Sequence, residues 1–277
     1  MTVLISAPDL RSLDGRVVLL DVRWALGDDR GRERYLAGHL PGAVFVDLEG
    51  DLAEPPSPAD GRHPLPSLQR LQASARRWGI RQDDSVVVYD ASGGLAAARA
   101  WWLLRWGGLA DVSLLDGGLD AWTRAGGPVE PGEVLPEPGY VALVGGGMPV
   151  LTIDEAAALP ASGGLLLDAR AGERYRGEVE PIDPVAGHVP GAVNLPMTDL
   201  LADDGTFLPP GAVRAAAARA GVHRGTPVGT SCGSGVTAAQ MALALHTAGL
   251  AAVPWVGSWS EWVADPARPV ATGPEPG

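Results

Sequence analysis

The chain has one cysteine, Cys232, and its neighbours are those of a reactive thiol. The run TPVGTS (226–231) reads as a buried strand. It feeds straight into CGSGVTA (232–238) and then into a helical pattern. In a parallel α/β sheet, ligands and catalytic groups gather at the carboxyl ends of the strands. Gly233, Ser234, Gly235, Val236 and Thr237 are small or compact enough for a loop to curl round one point. Successive backbone N–H groups in such a loop, backed by a helix N-terminus, create positive potential. A thiol at that point ionises more readily than a free cysteine, so Cys232 is expected to act as a thiolate nucleophile. The alternative, an inert buried cysteine, fits the strand-end position and the Gly-Ser-Gly less well.

The elements that must position this loop occur twice. LLDVRW from Leu19 matches LLDARA from Leu166. AGHLPGAVFVDL from Ala37 matches AGHVPGAVNLPM from Ala186. LLDGGLDAW, ending at Trp122, matches WVGSWSEW, ending at Trp262. So long a period means two copies of one domain, which suits a chain of 277 residues. The expected organisation is a first copy over 1–127, a Pro- and Gly-rich linker over 128–149 and a second copy over 150–277. In the first copy, 17–22, 43–48, 85–90 and 112–116 read as strands, and 67–79 and 96–108 as helices. In the second, 164–169, 226–231 and 253–258 read as strands and 236–249 as a helix, with Gly249 as its stop. Strands alternating with helices predict an α/β fold in which each copy is a parallel sheet covered by helices on both faces. The first copy carries an insertion, placed at Glu49–Pro66, that reads as a long functional loop. Aligning SVVVYDASGG with TPVGTSCGSG sets Ala91 opposite Cys232, so the first copy is expected to be inactive and the site to lie in the cleft between the copies.

Composition excludes several classes. With 21 basic and 33 acidic residues the formal net charge is −12, and no basic block occurs, which argues against nucleic-acid or anionic-membrane binding. All 21 basic residues are Arg. Without Lys there is no Schiff-base chemistry and no P-loop lysine. A single cysteine permits no intrachain disulfide, and His223 and His246 show no ligand spacing, so no metal is expected. No secretory pattern or membrane-length apolar run is seen, and a cytoplasmic location is expected.

The paired GH-PGA segments, the Cys232–Thr237 loop and the terminal GSWSEW resemble the tandem rhodanese-type sulfurtransferases over nearly the whole chain. CGSGVT is most similar to the loop of the 3-mercaptopyruvate sulfurtransferases, whereas thiosulfate sulfurtransferases place cationic side chains after the cysteine. The difference is physical. A dianion gains from cations beside the thiolate, and Gly233 and Ser234 supply none. The resemblance implies that Arg174, in ARxxxRYxG, binds the donor carboxylate, a role suited to a guanidinium fork. Some members carry a second Arg nine positions on, where this chain has Asp183. The resemblance further implies that Ser234 works in a proton relay with Asp47 and His63.

The implied reaction moves a sulfane sulfur from 3-mercaptopyruvate, through a persulfide on Cys232 cradled by the amides of Gly233, Gly235, Val236 and Thr237, to an external acceptor. The acceptor would be thioredoxin, a small thiol or cyanide, since the chain has no second cysteine to resolve the persulfide. No cofactor is needed. The alternatives are thiosulfate:cyanide sulfur transfer and a non-catalytic binding module. A Cys-dependent phosphatase would need an Arg closing the loop, where position 238 is Ala. His39 and His188, like Asp21/Arg23 and Asp168/Arg170, recur in both copies and are expected to maintain the fold.

Overall fold

The computed structural model describes residues 2–57 and 59–277. They fall into two compact units. Unit 1 comprises residues 1–54, 66–148 and 203–207, and unit 2 comprises 55–65, 149–202 and 208–277.

Unit 1 holds β1 (Leu4–Ile5), β2 (Val17–Asp21), β3 (Val44–Phe45), β4 (Ser85–Tyr89) and β5 (Val112–Leu115) in the order β1-β5-β4-β2-β3. All pairings are parallel. The central strand β4 is buried on both faces after its first residue, as its unbroken Val-Val-Val-Tyr run requires. The helix that follows, Ala97–Trp106, buries eight of its ten residues, which is why its sequence shows no polar stripe. Trp101 within it donates its indole N–H to Val112 O at 3.0 Å.

Unit 2 repeats the plan with β6 (Leu165–Asp168), β7 (Val193–Asn194), β8 (Val228–Ser231) and β9 (Val253–Pro254), all parallel in the order β7-β6-β8-β9. Helix Val236–Thr247 follows β8. Gly249 takes φ +73°, and the Gly249 and Leu250 amides close back on His246 O and Leu245 O, the Schellman stop expected of that glycine. Leu166, Tyr175, Trp255, Trp259 and Trp262 belong to one apolar cluster in this unit. His39 and His188 are fully buried, stack on Tyr35 and Tyr175, and face backbone carbonyls with both ring nitrogens.

Four features differ from expectation. The strands β1 and β7 have two residues each, too few to show any period, and neither was foreseen. The Glu49–Pro66 insertion is not one long loop. It opens with a helical turn at Leu48–Asp51, and 55–65 belongs to unit 2. The expected linker is largely a strap on unit 1, where the Gly139 and Val141 amides bond Arg76 O and Ile80 O and Val141 is buried.

The fourth feature concerns Ala91. The register sets Asp21 against Tyr89 in unit 1 and Asp168 against Ser231 in unit 2. Asp21 and Asp168 are equivalent, so the residue after Tyr89, which is Asp90 and not Ala91, stands where Cys232 stands. An ungapped alignment slips by one residue here. Asp90 is completely buried, and its carboxylate accepts the amides of Ser92 (2.8 Å), Gly94 (2.9 Å), Ala96 (2.9 Å) and Ala97 (3.1 Å). Burial holds this carboxyl above the ordinary range, and the amides offset only part of that rise. The amide cradle of unit 1 is filled by the chain's own carboxylate.

Candidate active site

Cys232 directly follows β8 in unit 2, and its loop is shaped from outside. The Cys232 and Gly233 carbonyls accept the amides of Trp259 (3.0 Å) and Ser260 (2.9 Å), in the short helix Ser258–Trp262. With those two carbonyls bonded away, the loop is free to turn an amide toward the sulfur. The Gly235 N–H points at Cys232 Sγ at 3.1 Å. The first amides of helix Val236–Thr247 have no intrahelical acceptor, and its dipole adds to the positive potential. Ser258 braces the corner. It is buried, it is the only non-glycine among the described residues with positive φ (51°), and its hydroxyl accepts Cys232 N–H at 3.1 Å while donating to Trp255 O at 2.8 Å. Such strain persists only where surrounding contacts hold it. Cys232 itself is 3% exposed.

Three guanidiniums lie around this loop. Arg170 is held by Asp168, with contacts at 3.0, 3.1 and 2.6 Å, and its guanidinium carbon lies 4.8 Å from the centre of the Trp259 ring. Burial works against its charge. Asp168, Glu180 and the Cys232 sulfur outweigh that and hold Arg170 above its usual pKa. Arg174 presents its Nε and one Nη to Glu180, at 3.2 and 2.6 Å. Burial would raise the Glu180 pKa, but Arg174 and the Asp183 and Ile182 amides bring it below the ordinary range. Arg62 pairs with Asp183, which also lies 3.7 Å from Arg174. Burial raises the Asp183 carboxyl despite these cations.

The expected relay residues are placed as follows. His63 Nδ1 lies 2.8 Å from Ser234 Oγ, and both residues are buried. Gly61, at φ +78°, makes the turn that delivers Arg62 and His63. A Cβ there would lie 2.6 Å from Ser260 Oγ. That hydroxyl in turn accepts the Arg62 amide at 3.1 Å. Asp47 lies in unit 1, exposed, and caps Leu48–Asp51 by accepting the Glu49 amide at 3.2 Å. Arg174 faces the loop beside Gly233, but Glu180 already holds the edge that a bidentate carboxylate would use. Sequence reasoning missed Glu180, Arg62 and Ser258. The first two have no counterpart in the other copy, and the third sat unremarked inside GSWSEW.

Among the described residues no cluster of His, Cys, Asp and Glu could hold a metal ion, and no helix is long and apolar enough to cross a membrane.

Known proteins similar to this chain fix its family. The model of the rhodanese-like domain matches residues 7–125 and 152–265. A Mycobacterium tuberculosis protein named as the thiosulfate sulfurtransferase SseB is 50% identical over 98% of this chain and 97% of its own length. A Pseudomonas aeruginosa protein named as a 3-mercaptopyruvate sulfurtransferase is 49% identical over 97% and 94%. The crystal structure of Escherichia coli SseA, described as a 3-mercaptopyruvate sulfurtransferase, superposes with a TM-score of 0.83 at 34% identity, covering 94% of this chain and all of that one. Two matched domains, one of them with a cysteine bound by its own loop amide, agree with these relatives in sequence and in fold: this chain belongs to the rhodanese family and is a sulfurtransferase.

Proposed function

We propose that the protein takes a sulfane sulfur from 3-mercaptopyruvate and passes it, as a persulfide on Cys232, to an external thiol or to cyanide. The observation that carries the choice of donor is the charge around the loop. The loop after Cys232 has no cation, and the guanidiniums of Arg174 and Arg62 nearby are already countered by Glu180 and Asp183. Such a site has little net positive charge to offer a dianion, but it has guanidinium N–H groups for one carboxylate.

In this reading the Cys232 thiolate attacks the donor sulfur. The carbon–sulfur bond breaks, its electron pair leaves as the enolate of pyruvate, and the proton of the donor thiol ends on that carbon. The persulfide sulfur keeps its negative charge against the loop amides of Gly233, Gly235, Val236 and Thr237. Ser234 and His63 carry the proton, since a 2.8 Å contact allows transfer between them. An acceptor thiolate then attacks the outer sulfur, giving its own persulfide and restoring Cys232. Thioredoxin or a small thiol would serve, and so would cyanide, which leaves as thiocyanate. A cytoplasmic setting accords with a single thiol that must stay reduced. The part of Asp47 rests on the family resemblance.

The test of the donor is kcat/KM for 3-mercaptopyruvate and for thiosulfate with one common acceptor. Preference for 3-mercaptopyruvate is expected, and preference for thiosulfate overturns the choice. Thiosulfate is the second reading because the M. tuberculosis relative is named for it. For the relay, Ser234→Ala and His63→Gln should each lower kcat by about 10- to 1,000-fold. Asp47→Asn should lower it less if the carboxylate only orients the relay. Unchanged kcat in Ser234→Ala removes the relay from the mechanism.

A further inference from the structure

We propose that Arg62 is a specificity-determining residue for the sulfur donor, supplying with Arg174 the second half of a split clamp for the donor carboxylate. This rests on the donor reading above and adds a residue to it. A carbon placed at the Cβ position of Gly233, next to the nucleophile, would lie 3.0 Å from one Nη of Arg62 and 3.6 and 3.8 Å from the two Nη atoms of Arg174. Two guanidiniums therefore face the same point of the loop from different segments of unit 2.

Neither can grip a carboxylate alone. Arg174 has given the edge formed by Nε and one Nη to Glu180, leaving single N–H groups toward Gly233. Arg62 has given one Nη to Asp183, while its Nε is buried with no hydrogen-bond partner. The Asp183 Oδ2 is also buried without a hydrogen bond. The buried guanidinium N–H left unpaired carries a free-energy cost that an incoming carboxylate can relieve, whereas the Asp183 oxygen, itself an acceptor, gains nothing from it. One oxygen to Arg62 and one to Arg174 would satisfy the anion as a single bidentate fork does.

Arg62 is held for this purpose. Its amide is fixed by Ser260, the preceding glycine admits no side chain, and the next residue is bonded to Ser234. A cavity of about 290 Å³, lined by Pro56, Gly61, Arg62, Asp183, Pro184 and Ser260 among others, borders the Arg62–Asp183 pair and gives the guanidinium room to turn. Asp183 sets the charge balance. It keeps the clamp close to neutral until a monoanion arrives, which disfavours a dianion.

The experiment measures KM and kcat for 3-mercaptopyruvate and thiosulfate in wild type, Arg62→Ala, Arg62→Lys and Asp183→Asn, with intact mass reporting sulfur on Cys232. Arg62→Ala should raise KM for 3-mercaptopyruvate about 10- to 100-fold, with kcat falling far less. Arg62→Lys should recover only part of this, because an ammonium is a point charge and not an edge. Asp183→Asn adds one net positive charge and should shift the donor preference several-fold toward thiosulfate. The inference is overturned if KM in Arg62→Ala and Arg62→Lys stays within about twofold of wild type. It is also overturned if both donors lose equally, which would make Arg62 a general anion site. Failure of the donor reading looks different: wild type itself would prefer thiosulfate, whatever Arg62 does.

Discussion

Cys232→Ser is expected to take up no sulfur. After incubation with 3-mercaptopyruvate and removal of small molecules, intact-mass analysis should find wild type heavier by one sulfur atom and the variant unchanged. Cyanide should return wild type to its original mass. Turnover should fall by about 1,000-fold or more, because a serine hydroxyl is far harder to ionise and a poorer nucleophile toward sulfur. The fold should survive. The bonds from the Trp259 and Ser260 amides and the Ser258 hydroxyl that brace the loop do not involve the sulfur, and a serine oxygen can still accept the Gly235 N–H. The chain has no other cysteine, so no second thiol can mask the result. Equal sulfur uptake by the variant would remove Cys232 from the role of carrier.

Gly235→Ala should be nearly as damaging, by another route. Gly235 lies at φ +80°, and a Cβ there would stand 2.0 Å from Val256 O, a backbone atom that cannot swing aside. The corner next to it is fixed by the Trp255 amide on Thr230 O at 2.9 Å. The loop itself must therefore shift, and it carries the N–H that meets Sγ. The left-handed conformation and the overlap together should lower stability by about 2–4 kcal/mol. Persulfide formation should fall with it. Gly249→Ala is the control. Its φ is +73° but nothing lies within 4 Å of the added carbon, so it should cost about 1 kcal/mol and leave sulfur uptake intact. Denaturant midpoints and intact masses measure both. If Gly235→Ala behaves like Gly249→Ala, the close approach to Val256 does not control the loop.

The site was partly legible in the sequence. A strand ending in the only cysteine, followed by Gly-Ser-Gly, announces an anion-holding loop through local chemistry alone. The stop at Gly249 was legible for the same reason. Arg62 was not, because its position depends on 55–65 being counted with unit 2 while the chain before and after belongs to unit 1. Glu180 was not, because nothing local tells an acidic residue after Arg174 that it will hold that guanidinium's edge. The edge strands β1 and β7 were missed because two residues show no alternation.

Asp90 marks the limit most clearly. Composition fixes that the first copy has no thiol, and a one-residue slip in alignment does not change that. What occupies its cradle is a matter of register, and register depends on hydrogen bonds between strands far apart in the chain. The duplication, the parallel α/β plan and the single cysteine at a strand end were readable along the chain, since they follow from repeats, periodicity and residue type. The tertiary structure alone decided that a carboxylate fills one cradle while the other holds a sulfur. Only the fold brings the guanidiniums of Arg62 and Arg174 to the same point beside Gly233. A site's charge is a sum over neighbours in space, and most of those neighbours are distant in sequence.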